Sequence, residues 1–203
     1  MTDPSPAPTS RPSPVLMLFL VIPLLGILAA LVMIVQNERQ RTTADVLDLP
    51  AEIERQAAAL MNYTAPAFQV KDIDGKSVSL DEYKGRIVFL NFWTTDCPPC
   101  QREMPTFAQF ASEQDEQGPA VLTVNMGDTP QMIQEFFTRI GVKGVRVAMD
   151  TDLAVGNRYS IIARPVTYVI DAQGVIRAMK AGEITIEDMD GYVAQITTTP
   201  RVN

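Results

Sequence analysis

Residues 87–105 read IVFLNFWTTDCPPCQREMP. Ile87–Trp93 is β-branched and aromatic on both alternating faces, the pattern of a strand covered by protein on both sides. Pro98 and Pro99 then stop the strand, and a helix is expected from Cys100 to about Ser112, with Pro105 as a kink. Cys97 and Cys100 thus stand three apart where a buried strand hands over to a helix. Unpaired N–H groups and the helix dipole favour an anion at a helix start, so Cys97 is expected to be the more exposed thiol and the better thiolate. Cys100, inside the first turn, is then the resolving thiol. Attack by Cys97 on a substrate disulfide would give a mixed disulfide, which Cys100 resolves by closing the Cys97–Cys100 bridge. Two structural cysteines or half of a metal site are the competing readings of the same residues.

Composition narrows the choice. The chain has 203 residues, enough for one domain with appendages. It contains no histidine, which removes Ser-His and Cys-His pairs, imidazole acid-base chemistry and histidine metal ligands. Its two cysteines are too few for a disulfide scaffold or a four-ligand zinc site, so neither a metal nor another cofactor is expected. With 17 basic against 24 acidic residues and no basic run, nucleic-acid binding is not expected either.

On the N-terminal side of the central strand, Phe68–Ile73 and Ser77–Leu80 flank Asp74-Gly75, a hairpin signal. On the C-terminal side, Ala120–Met126 reads as a second buried strand. A helix follows with Thr129 as N-cap, Pro130 at its first position and Gly141 as its stop. Val145–Met149 is a short strand and Leu153–Tyr159 a short helix. Val166–Ile170 and Val175–Met179 form a hairpin, and Thr185–Asp188 opens a last helix. The order predicts an α/β domain: a mixed sheet flanked by helices, parallel at first and antiparallel after Val166.

Residues 1–14 are a Pro/Ser-rich tail that cannot bury enough apolar surface to fold. Val15–Val35 carries no charge over 21 residues, which as a helix spans roughly 30 Å of hydrocarbon. The stretch is longer than the apolar core of about 7 to 15 residues in a cleaved signal peptide, so an uncleaved transmembrane helix in contact with the lipid bilayer is expected. Arg11 before it and Arg39 and Arg41 after it leave its orientation open. Residues 36–63 read as a linker or stalk, and 64–203 as the folded domain.

The residues Ala65–Phe68 (APAF), Asp74–Leu80 (DGKSVSL), Phe89–Trp93 (FLNFW), Cys97–Cys100 (CPPC), Arg102–Pro105 (REMP) and Pro165–Asp171 (PVTYVID) together resemble the thioredoxin-fold proteins of the TlpA/ResA/CcmG type. The resemblance covers about residues 65–196. It implies a membrane-anchored, extracytoplasmic thiol-disulfide oxidoreductase of the cell membrane, with a single pass and the C-terminal domain outside the cytoplasm. Its partners would be client protein disulfides, apocytochrome c among them, and a membrane thiol-disulfide electron donor. It implies a cis bond at Arg164-Pro165, beside the active site, where backbone can pair with a bound partner. From the residues alone Pro165 reads equally as a strand-starting proline. The exposed face that receives clients is expected around Trp93, Arg164, Pro165 and Val166.

The resemblance further implies that Glu103 lies by the active site and modulates the thiols or moves protons; on its own it reads as a solvated helix charge. Asn91 falls where thioredoxin has a buried acid, so proton handling rests more on Glu103. Asp96, next to Cys97, opposes thiolate formation, and Pro98 and Pro99 remove donors near the sulfur. Both features favour the disulfide over the reduced thiolate form, which makes a reductant the leading expectation, although Arg164 would pull the other way. The alternatives are an oxidant or peroxide-linked reductase of the same fold, or a non-catalytic binding or metal-delivery module.

Overall fold

The structure, a computed structural model, describes residues 59–198 together with the helical positions Ala30 and Met33. The expected tail, nearly all of the apolar stretch 15–35 and most of the linker lie outside the described residues. Among the described residues no helix is long and apolar enough to cross a membrane. The chain divides after Pro50, and the fold is that of the second unit, Ala51–Asn203.

Seven strands form one sheet: β1 (Gln69–Asp72), β2 (Ser77–Ser79), β3 (Val88–Trp93), β4 (Ala120–Met126), β5 (Val147–Asp150), β6 (Val166–Ile170) and β7 (Ile176–Ala181), in the order β2-β1-β5-β4-β3-β6-β7. β3, β4 and β5 run parallel, and every other pairing is antiparallel. Within residues 61–198 the α-helices are α1 (Pro98–Glu113), α2 (Pro130–Ile140), α3 (Ala154–Arg158) and α4 (Ile186–Thr198), and a 3-10 turn spans Leu80–Tyr83. The sheet is mixed as expected, with the antiparallel part on both flanks of the parallel core.

Side-chain alternation along β3 sorts the interior into two layers. Val88, Leu90 and Phe92 face a core shared with Val155, Tyr159 and Tyr168. Ile87, Phe89 and Trp93 face the other core, built with Met104, Phe107 and Phe110 of α1, Ile133 and Phe136 of α2 and Met189 of α4. Each large side chain so buried contributes roughly 1.5–3 kcal/mol. The same alternation places Asn91, between Phe89 and Trp93, on the face covered by α1.

Local chemistry fixes the ends of these elements. Asp72 accepts from the backbone N–H groups of Asp74 and Lys76, closing the β1–β2 turn through Gly75 at φ +79°. Asp171 does the same for Gln173 and Val175 in the β6–β7 turn and pairs with Arg177 at 2.6 Å. Thr185 and Asp188 bond each other's backbone N–H groups at the start of α4. The stretch ending at Tyr63, expected to be linker, is already part of the fold at its last residues. Leu60 and Met61 pack on the core, and Asn62 and Tyr63 bond Ile176 of β7.

Candidate active site

Helix α1 begins two residues earlier than expected, because Pro98 and Pro99 occupy its first two positions, where the missing N–H groups cost nothing. Cys97 is its N-cap, with extended backbone, and its Sγ accepts from the N–H of Cys100 at 3.4 Å. Cys97 and Cys100 are joined in a disulfide. Cys97 is partly exposed, whereas Cys100 is fully buried, in the order expected for attacking and resolving thiols. Because the two prolines have no N–H to offer, the N–H of Cys100 is the first of the helix able to reach the sulfur.

Glu103 follows Cys100 by three residues and so lies on the same face of α1. It is 0% exposed, which overturns the reading of a solvated charge. Asn91 Nδ2 donates to Glu103 Oε1 at 2.9 Å and to Thr167 Oγ1 at 3.1 Å, and the Ile184 N–H donates to Glu103 Oε2 at 3.3 Å. Burial pushes the Glu103 carboxyl up to about 8; the bonds from Asn91 and Ile184 oppose the rise, and nearby Glu183 adds to it. Glu183 itself pairs with Arg102 at 2.8 Å. A carboxyl that titrates near neutrality, one turn beyond a buried thiol, is chemically able to exchange a proton during disulfide exchange.

The Arg164-Pro165 peptide bond is cis, and the exposed Arg164 precedes β6. The exposed client face expected at Trp93, Pro165 and Val166 needs correction, because all three side chains are buried. Trp93 is 0% exposed, its ring 5.0 Å from that of Phe136 and 5.6 Å from that of Phe137. The inward alternation of β3 and the aromatic pair on α2 claim it for the core. Asp96, Pro98, Ile162 and Arg164 remain exposed in the segments next to Cys97 and Pro165.

Sequence reasoning passed over two contributors. Thr167 stands opposite Asn91 in the β3–β6 register, and the signal available was a polar residue in each of two otherwise apolar strands. Asp128, after β4, accepts from the N–H of Thr95, two residues before Cys97, at 2.8 Å. Among the described residues no group of three or more Cys, Asp or Glu side chains is arranged to hold a metal ion.

Residues 61–179 match the model of the AhpC/TSA family. The thiol-disulfide oxidoreductase ResA of Geobacillus thermodenitrificans is 34% identical over 139 residues, covering 68% of this chain and 79% of that protein. Two solved structures share the fold. StoA from Bacillus subtilis has a TM-score of 0.56 at 26% identity, covering 64% of this chain and 97% of its own. A thiol:disulfide interchange protein of the thioredoxin family from Chlorobium tepidum TLS has a TM-score of 0.58 at 27% identity, covering 66% and 94%. The CxxC pair at the head of α1, the thioredoxin-like sheet and these similarities converge: the chain belongs to the AhpC/TSA family and, within it, to the ResA-like thiol-disulfide oxidoreductases.

Proposed function

We propose that the protein is a membrane-anchored, extracytoplasmic reductant of client protein disulfides, with apocytochrome c as the client class that the family resemblance favours. The reading rests above all on one arrangement: a partly exposed Cys97 capping α1, a buried Cys100 beneath it, and a buried Glu103 one turn further on. In the reduced protein the Cys97 thiolate attacks one sulfur of a client disulfide. A Cys97–client bond forms and one client thiolate leaves. Glu103 in its ionised form, which becomes populated as pH approaches about 8, takes the proton of Cys100, and the Cys100 thiolate attacks Cys97, releasing the second client thiolate and closing the Cys97–Cys100 bond. The client gains two electrons and, after proton transfer, two protons. A membrane dithiol donor then restores the reduced pair.

The reducing direction is supported by the surroundings of Cys97. Pro98 and Pro99 supply no N–H to its sulfur, and the Asp96 carboxylate is next in sequence, so the thiolate is weakly stabilised and the disulfide is favoured. The Arg164-Pro165 segment is assigned to backbone pairing with the client, held on its C-terminal side by Val166, which pairs with Phe92 in the sheet. The apolar stretch 15–35 is assigned to the single-pass anchor.

Cys100→Ser in the full chain tests the reading. Cys97 should then accumulate mixed disulfides with client proteins that dithiothreitol releases, and Cys97→Ser should accumulate none. Failure of Cys100→Ser to capture any client would overturn it.

A further inference from the structure

The segment Thr94–Asp96 carries the chain from the end of β3 to Cys97, and its conformation sets where the Cys97 sulfur stands. Within it, Thr94 Oγ1 is buried with no hydrogen-bond partner among the described residues, and the Cys97 N–H reaches Thr94 O only at 3.5 Å. The fastening falls instead on Thr95, which is 9% exposed. Its N–H donates to Asp128 Oδ2 at 2.8 Å, and its carbonyl accepts from Gln101 Nε2 at 3.2 Å. Both backbone groups of one residue are therefore held by side chains from outside the segment.

Asp128 is itself fixed. The same Oδ2 accepts from Asn125 Nδ2 at 2.8 Å, and the Asp128 N–H donates to Asn125 Oδ1 at 3.1 Å. Asn125 is 1% exposed and stands opposite Trp93 in the parallel β3–β4 register, so the ends of the two strands are locked together. Gln101, in the first turns of α1, closes the bracket from the other side.

We infer that Asp128 is a positioning residue for disulfide exchange: through the Thr95 N–H it holds the turn that presents Cys97, with Gln101 as its counterpart on the Thr95 carbonyl. The inference rests on Cys97 being the attacking thiol. What the clamp supplies is an acceptor at a fixed place, so an amide oxygen should serve as well as a carboxylate. Removing the acceptor leaves a buried backbone N–H and the Asn125 amide unpaired, and the turn moves to rehydrate them.

The test uses the reduced full chain in a Cys100→Ser background, where Cys97 is the only thiol, and follows its reaction with 5,5′-dithiobis(2-nitrobenzoate) and with insulin disulfides. Asp128→Ala should slow both reactions by about tenfold or more, as displacement of a reacting atom does. Asp128→Asn, which keeps the acceptor oxygen, should stay within about twofold of the parent, and Gln101→Ala should slow both reactions by roughly threefold. If Asp128→Ala lowers the melting temperature but leaves the rates alone, the residue is merely structural and the inference fails. If Asp128→Asn is as slow as Asp128→Ala, charge rather than position is at work and the inference fails again. Should Asp128→Ala not fold, an unchanged rate in Gln101→Ala would still refute the clamp. Cys97→Ser in place of these variants separates the two proposals: if Cys97→Ser with Cys100 intact still exchanges with insulin, the assignment of Cys97 itself is wrong.

Discussion

A carboxyl held neutral in the core links the stability of the oxidised protein to pH through Glu103. Its folded value is raised from 4.5 to about 8, so between these limits the folded state binds more protons than the unfolded chain. Stability contributed by the neutral carboxyl is complete below about pH 4.5 and is lost as pH rises toward 8, with a slope of at most about 1.4 kcal/mol per pH unit. Urea denaturation of the oxidised protein should show that decline, and Glu103→Gln should flatten it. The same variant should change the pH profile of Cys100 attack on the Cys97 mixed disulfide, measured in single-turnover reactions. An unaltered profile would remove Glu103 from proton transfer. Trp93 makes a second prediction at this scale. Its indole is buried against Phe136 and Phe137, so Trp93→Ala should cost about 3–5 kcal/mol in denaturant melts, as a core residue does and an exposed client contact does not.

At the scale of elements, α2 shows how far sequence carries. Thr129, Pro130 and Gly141 mark its ends, and the structure finds the Thr129 side chain accepting from the Met132 N–H and Gly141 in the left-handed region at φ +69°. Thr129→Ala and Gly141→Ala should each lower stability by about 1 kcal/mol, read as a shift in the denaturation midpoint. The strands were equally legible, since β3, β4 and β6 are short apolar runs bounded by turn residues. The environment of Glu103 was not, because it is assembled from residues far apart in the chain: Asn91 is 12 positions away and Ile184 is 81. Only the β3–β6 register and the approach of the segment before α4 bring them together. Trp93 was misplaced for a related reason. Its position beside the CxxC segment suggested exposure, while the period of β3 and the Phe136-Phe137 pair already pointed it inward. In the sequence nothing local says that the Asp128 carboxylate reaches a backbone N–H 33 residues earlier.

As a whole molecule, the proposed reductant carries an apolar segment at residues 15–35 and a thioredoxin-like domain whose dithiol acts on protein disulfides. Deleting residues 1–41 should release the domain from membranes without altering its exchange with insulin, as fractionation and turnover assays would show. The reducing direction is the central claim, and the reduction potential of the Cys97/Cys100 pair tests it most directly. Equilibration of the protein in thiol redox buffers, followed by Trp93 fluorescence, should give a value below roughly −230 mV, on the reducing side of the glutaredoxins. A value above about −180 mV, at or beyond that of protein disulfide isomerase, would contradict the account and make the protein an oxidant or isomerase.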